Sequence, residues 1–341
     1  MTSSVVSTQV QLVARPAGWP VPADFRLARI ELGELGPNEV RVANEFISVD
    51  PYMRGRMNDV KSYAPPYSLG ATMGGGAVGR VVASRADAVA VGDVVVHQLG
   101  WRDVAQGDAA GFRVVPELAG VPLSANLGVL GMTAFTAYVG LLEIAHLTPG
   151  DTVFVSGAAG AVGSMVGQIA RLKGAGRVVG SAGSAAKVEL LTSRYGFDAA
   201  FNYRDGAIAE QLAAAAPEGV DVYFDNVGGE HLEAALEMAN PGGRVAACGA
   251  ISQYNESAAP VGPRNLSNVV TRGLTIKGFT VGNYLQHYPA FAAEMGAWLA
   301  ADAVVFDETV VDGIDHAVEA FLGLMRGENT GKMVVRTLPA T

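Results

Sequence analysis

Residues 152–174, TVFVSGAAGAVGSMVGQIARLKG, run from a short β-branched segment through a glycine-spaced turn into a long apolar stretch. Few folds accept that succession: a strand, a tight turn, and a helix that must pack closely on the strand just left. The glycine positions of a G-x-G-x-x-G fingerprint fall on Ala158, Gly160 and Gly163. Gly160 lets the backbone approach a pyrophosphate, Gly163 lets the helix close on the strand, and the helix N-terminus offers N–H donors and the positive end of its dipole. Ala158 departs from the strict pattern, and Gly and Ala also serve plain helix–sheet packing. Context decides between these readings. TVFVSG, RVVGSAG, DAAFNY, VDVYFDNV, GRVAACGAI and LTIKGFTV read as strands, and AVGSMVGQIARLKG, AAKVELLTSRYG, DGAIAEQLAAAA and GEHLEAALEMA read as helices between them. Strand alternating with helix predicts a parallel doubly wound sheet of the α/β class, and favours a nucleotide at the glycine turn.

The first third has a different rhythm. VQLVARP, ARIELGEL, EVRVANEFISV, GGAVGRVVAS, GDVVVHQL and GFRVVP are short β-branched runs broken by Gly, Pro and Asp, which predicts an all-β unit of barrel type. The change comes at about Leu127. The tail, ETVVDGIDHAVEAFLGLMRGENTGKMVVR, returns to strand, helix and strand and is expected to rejoin the first domain. NPGG, Asn240 to Gly243, and the region Ser252 to Asn268 are the longest turn-rich segments; ligands sit on loops after strand ends in such sheets, and Ser252 to Asn268 is the candidate lid.

A chain of 341 residues is long enough for two domains, with 50% hydrophobic and 17% charged residues to fill and cover their cores. A net charge of −9 with scattered Lys and Arg argues against a nucleic-acid or anionic-membrane partner. The single cysteine, Cys248, excludes an intrachain disulfide and a Cys-based zinc cluster. The N-terminus lacks the basic start and apolar core of a signal peptide, so a cytoplasmic location is expected. Leu118–Leu142 and Thr152–Ala170 carry no charged side chain, yet Pro122, Asn126 and several glycines break the first, and a strand–turn–helix pattern breaks the second. Buried core, not a membrane span, is the expectation for both.

In an NAD-binding unit the second strand ends in Asp or Glu roughly 20 residues beyond the glycines, where the carboxylate bonds the adenosine ribose. Here that place reads RVVGSAGSAAK, Arg177 to Lys187, with no acid. Small residues leave room, Ser184 can donate a hydrogen bond, and Lys187 can supply charge at the start of the next helix. A 2′-phosphate fits that combination, so NADP is the expected cofactor.

Other motifs carry less. Asp225 and Asn226 end the fourth strand in DVYFDNVGG, where a nicotinamide would lie, but they equally suit an Asx turn before a helix. CGAISQYN puts Tyr254 just past the fifth strand; a phenol there can bond a carbonyl or a ribose hydroxyl, although most tyrosines simply pack. RGENTGKM has the wrong glycine spacing for a Walker loop and Met333 where Ser or Thr is needed. No G-x-S-x-G elbow occurs, and His97, His146, His231, His287 and His316 are dispersed without ligand spacing, so neither a serine hydrolase nor a metal site is expected.

ISVDPYMRGRMND, GMTAFTAYVGL, AAGAVGSMVGQIARLKG, GFDAAFNY, FDNVGG, CGAISQYN, LTIKGF and ENTGKMVVR occur in an order that resembles the medium-chain dehydrogenase/reductase superfamily. Within it the chain resembles the zinc-independent leukotriene B4 12-hydroxydehydrogenase/prostaglandin reductase branch, with its alkenal double-bond and curcumin reductases. DPYMRGRM together with CGAISQYN is specific to that branch. The resemblance implies a GroES-like domain from residues 1–126 with 312–341, a Rossmann domain over 127–311, and NADPH in the cleft. It implies a homodimer through Rossmann edge strands, here LTIKGFTV. It implies cofactor contacts at Gly160, Ala161, Val162 and Gly163, at Lys187 and Tyr203 for the 2′-phosphate, and at Asn226. Further contacts are implied at Cys248, Gly249, Ala250, Ile251 and Ser252, at Phe279 and at Asn329. Tyr52 and Tyr254 are the implied substrate-side phenols. The chain departs from the branch at GFTVGNY, where Asn283 stands in place of an acid, and this affects the expected pocket shape. The implied activity is zinc-independent reduction of the α,β-double bond of a 2-alkenal or enone; a quinone reductase and a non-catalytic NADPH-binding protein are the alternatives.

Overall fold

The structure, a computed structural model, describes residues 5–258 and 261–337. In chain order the strands and helices are β1 (Val5–Leu12), β2 (Phe25–Leu32), β3 (Glu39–Ser48), α1 (Tyr52–Arg56), β4 (Ala77–Ser84), β5 (Val94–His97), β6 (Val104–Asp108) and β7 (Arg113–Val114). There follow α2 (Met132–Val139), β8 (Thr152–Val155), α3 (Ala161–Leu172), β9 (Arg177–Ala182), α4 (Ala185–Ser193), β10 (Ala199–Asn202), α5 (Ile208–Ala215), β11 (Val220–Asp225), α6 (Gly229–Met238) and β12 (Ala239–Ala247). The chain ends with α7 (Ser267–Thr271), β13 (Thr275–Gly278), α8 (Tyr288–Ala300), β14 (Glu308–Asp312), α9 (Ala317–Met325) and β15 (Lys332–Arg336). These fall into two compact units, Met1–Leu127 with Glu308–Thr341, and Gly128–Asp307.

The first unit is built on β3. Its alternation buries Val40 and Val42 completely, as a half-buried strand requires. β3 pairs antiparallel with β4, β6 and β15 in a seven-stranded sheet of order β14-β15-β3-β4-β5-β7, with β6 on β3, while β1 and β2 form a separate hairpin. The register of β3 against β4 shifts at Arg41/Val42 and at Asn44/Phe46, and Gly79 lies opposite Asn44. A Cβ on Gly79 would fall 2.2 Å from the Ala43 carbonyl oxygen, so the sharply bent sheet admits only glycine there. β6 was not read from the sequence, because VAQGD has too little β-branched or alternating character. The tail belongs to this unit: β15 pairs with β3, and Phe321 of α9 packs edge-on against Trp101 and Phe25.

The second unit is a six-stranded parallel sheet of order β10-β9-β8-β11-β12-β13. Numbered within the unit this is 3-2-1-4-5-6, the Rossmann order. β8 is buried along its whole length, and Phe154 and Tyr223 stack 5.0 Å apart in the core; burying such a ring contributes about 1.5–3 kcal/mol. The expected α/β class, a β-sheet domain with a Rossmann domain, is the one observed.

One expectation needs correction. NPGG does not form a ligand-side loop but lies inside β12: the register jumps from Val220↔Ala239 to Val222↔Arg244, so Asn240–Gly243 bulge out opposite Asp221. Gly242 turns with φ +77°, and the Asn240 carboxamide donates to Asp221. This bulge stands at the amino end of the strand, the edge away from where such sheets bind ligands. The candidate lid, Ser252 to Asn268, includes residues 259 and 260, which lie outside the described residues. Among the described residues no helix is long and apolar enough to cross a membrane.

Candidate functional site

The carboxyl ends of the second unit's strands gather most of the singled-out residues. After β8 the chain turns at Gly157, φ +60°, and Gly160 caps α3 without any side-chain bond to the first turn. The N–H groups of Ala161, Val162 and Gly163 therefore open the helix with no side-chain cap across them. A Cβ on Gly163 would stand 2.4 Å from the Gly157 carbonyl oxygen, so glycine here is a packing requirement. Ala158 bonds through its N–H to the Ser181 carbonyl oxygen, tying this turn to β9. Ala158 and Gly180 face each other so closely that only small residues fit.

Past β9, Ser184 caps α4 by accepting from the Lys187 N–H, which leaves its hydroxyl proton to donate. The Tyr203 N–H bonds Ala182, and its ring stands over Gly183. Burial, and then the charge of Arg204, lower the Lys187 ammonium from its usual range. The Arg204 guanidinium lies 5.6 Å from the centre of the Tyr203 ring. Two cations, a phenol and a serine hydroxyl thus meet where an NAD-binding unit carries an acid. Arg204 was missed in the sequence; the signal was its place directly after the tyrosine of FNYRD.

After β11, Asp225 is the organiser. Its carboxylate accepts from Tyr223 Oη at 2.7 Å and from the N–H groups of Val227 and Gly228 at 3.0 and 2.7 Å, an Asx-type turn that opens α6. Burial raises its pKa, and these bonds act against that rise. Asn226 donates through its carboxamide to Ser156 at 2.8 Å. The loop after β12 wraps this turn: Cys248 and Gly249 donate to the Asp225 carbonyl, Ile251 to that of Asn226, and Ser252 to that of Val227. Tyr254 folds back so that its hydroxyl accepts from the Ala250 N–H at 3.3 Å. Burial holds the Tyr254 phenol above its ordinary pKa, so it stays protonated with its proton free to donate. Cys248 is half-buried, and desolvation followed by Asp225 pushes its thiol up to about 12. Phe279, just beyond β13, meets Phe224 edge-on at 6.3 Å.

Tyr52 and Asn329 belong to the first unit. Tyr52 opens α1, half-buried, its phenol held well above its usual pKa by burial and then by Asp50. Asn329 is buried and donates to the Gly331 carbonyl, shaping the turn before β15. Among the described residues no group of three or more His, Cys, Asp and Glu side chains is arranged to hold a metal ion. His97 and His231 are core residues, pushed down by burial to about 3 and about 4.

Two family models match the chain, the N-terminal domain of oxidoreductase over residues 8–115 and zinc-binding dehydrogenase over 161–300. The NADPH-dependent curcumin reductase of Escherichia coli is 41% identical over 334 residues, covering 95% of each chain. The 2-alkenal reductase (NADP(+)-dependent) of Nicotiana tabacum is 39% identical over 345 residues, 98% of each. Among solved structures, CurA of Vibrio vulnificus in complex with NADPH is 40% identical and superposes with a TM-score of 0.93 over 98% of this chain and 100% of that one. Fold and site define a medium-chain dehydrogenase/reductase. Within that superfamily the chain belongs to the zinc-independent leukotriene B4 12-hydroxydehydrogenase/prostaglandin reductase branch.

Proposed function

We propose that this protein is an NADPH-dependent reductase that saturates the α,β-double bond of a 2-alkenal or enone. The observation that carries the cofactor half is the carboxyl end of β9, where Ser184, Lys187, Tyr203 and Arg204 converge and no carboxylate stands. Cations and hydroxyls suit a 2′-phosphate, and an acid there would repel it. The open first turn of α3 suits a pyrophosphate, and Asn226, Cys248–Ser252 and Phe279 surround the sheet edge on which the nicotinamide would rest. Asn329, in the first unit, is the remaining proposed cofactor contact.

Bound NADPH supplies a hydride for the β-carbon. The remaining demand is to stabilise the enolate oxygen, and a hydrogen-bond donor suffices, worth about 3 to 4 kcal/mol. Tyr254 meets that demand: it is neutral, its oxygen is already engaged by Ala250, and its proton is free for the substrate or for a ribose hydroxyl it orients. Tyr52 is the second substrate-side phenol. Asn329 apart, Tyr254 and the nucleotide-side residues lie in the Gly128–Asp307 unit, and Tyr52 lies in the other. The enzyme works in the cytoplasm as a homodimer through β13, an exposed edge strand whose N–H and C=O groups on one side await a partner.

Steady-state oxidation of NADPH and NADH, with a medium-chain 2-alkenal, a bulky aryl enone and a quinone as acceptors, tests the reading. NADPH-specific turnover on an alkenal or enone supports it. Quinone preference with one-electron products redirects the assignment to quinone reduction, and tight NADPH binding without turnover to a binding protein.

A further inference from the structure

Outside the proposed cofactor edge, the most unusual cluster is a dry ion pair in the first unit. The Lys332 and Asp50 side chains are each 5% exposed and meet at 2.9 Å. All three ammonium protons are used, on Asp50 Oδ1, the Val49 carbonyl and the Met333 carbonyl, each at 2.9 Å. The other carboxylate oxygen accepts from the Ser48 hydroxyl. Ser48 is itself pinned, its N–H on the Gly76 carbonyl and its carbonyl on the Trp101 indole.

A buried ion pair is a poor source of stability, because desolvating both charges offsets their attraction and an apolar pair of similar volume does as well. Its consequence here is geometric. β15 delivers Lys332 to a turn 282 residues earlier in the chain, and that turn leads directly into α1. The Asp50 carbonyl accepts from the Met53 N–H, so the anchored residue also begins the helix. Between them Pro51, with φ −60°, fixes the direction in which the chain leaves Asp50. Tyr52 is next, and its hydroxyl lies 3.8 Å from the Cβ position of Gly75, a position that itself stands 2.5 Å from the Met53 methyl.

We propose that Lys332 is a positioning residue for Tyr52: acting through Asp50, it fixes the start of α1 and with it the phenol that meets the enone, and it neutralises a carboxylate that would otherwise face that phenol unpaired. The inference rests on the reading of Tyr52 as a substrate-side phenol. With all three ammonium protons spent on Asp50, Val49 and Met333, Lys332 has none left for a ligand, so its loss should appear in enone kinetics and not in NADPH affinity.

The test compares Lys332→Met, Asp50→Asn with Lys332→Met, Tyr52→Phe, and Lys332→Met with Tyr52→Phe, each measured for enone kcat and KM, NADPH affinity by fluorescence, and Tm. Removing one buried charge alone endangers folding, and the doubly neutral variant keeps the experiment decisive. The expected result is a fall of about tenfold in kcat/KM for the enone in the doubly neutral variant, with Tm near that of the parent and NADPH affinity within about twofold. In the Tyr52→Phe background, Lys332→Met should add little. Parental kcat/KM in the doubly neutral variant overturns the inference, as does an undiminished Lys332→Met effect without the phenol. Full enone turnover by Tyr52→Phe overturns the reading of Tyr52 and the inference with it, which separates the two failures.

Discussion

The hydroxyl of Tyr203 lies 3.0 Å from the point where a Cβ on Gly183 would stand, and two further ring atoms lie at 3.2 and 3.3 Å. The residue that crowds a side chain just past the end of β9 is itself a proposed ligand of the 2′-phosphate. Gly183→Asp should do more than add a repelling charge, because it must also displace Tyr203. We expect NADPH affinity to fall by at least about tenfold with no matching gain for NADH. Fluorescence titration with both nucleotides decides this, and tight NADH binding by the single variant would contradict it.

Lys187 and Arg204 lie close enough that the arginine's charge helps to lower the lysine's pKa, and an anion between them relieves that repulsion. Lys187→Ala and Arg204→Ala should each weaken NADPH about tenfold and leave NADH nearly unchanged. The loss should shrink as ionic strength rises. Equal losses for both nucleotides would remove these residues from the 2′-phosphate.

Tyr254→Phe keeps the ring and deletes only the hydroxyl that accepts from Ala250. Loss of an enolate donor corresponds to roughly 10²–10³ in kcat. NADPH affinity should change by less than about threefold. Single-turnover rates beside binding constants separate the two, and equal losses would make Tyr254 a cofactor residue alone.

Acid should destabilise the fold through His97 and His231. Burial depresses them to about 3 and about 4, so both stay neutral in the native state while an unfolded chain takes up two protons near pH 6.5. Between those limits the unfolded state binds more protons, and stability falls as pH falls. At about pH 5 each histidine accounts for roughly 2 kcal/mol lost relative to neutral pH. Urea midpoints at pH 7.5 and 5, compared with those of His231→Gln, report it. An unchanged pH dependence in the variant would show that His231 contributes nothing.

What the sequence determined by itself is what local pattern can carry. The βα alternation, the Gly160–Gly163 turn and the missing acid after β9 depend on residues within about one supersecondary unit, where side-chain period and turn chemistry act directly. Homology signatures in DPYMRGRM and CGAISQYN identified the branch. What tertiary structure decided is every relationship between residues distant along the chain. Composition made NPGG look like a ligand loop, but pairing with β11 turned it into a bulge at the wrong end of β12. β6 is a strand because β3 offers it a ladder, not because VAQGD favours one. Asp225 was evenly balanced between turn and ligand until four groups, from Ser156 to Gly228, were seen to donate to its carboxylate. Lys332 looked like part of a failed phosphate loop; only folding brings it, dry and fully bonded, against Asp50. The physical reason is common to all of these: propensity acts over a few residues, whereas burial and hydrogen-bond satisfaction are settled by whatever the fold brings near.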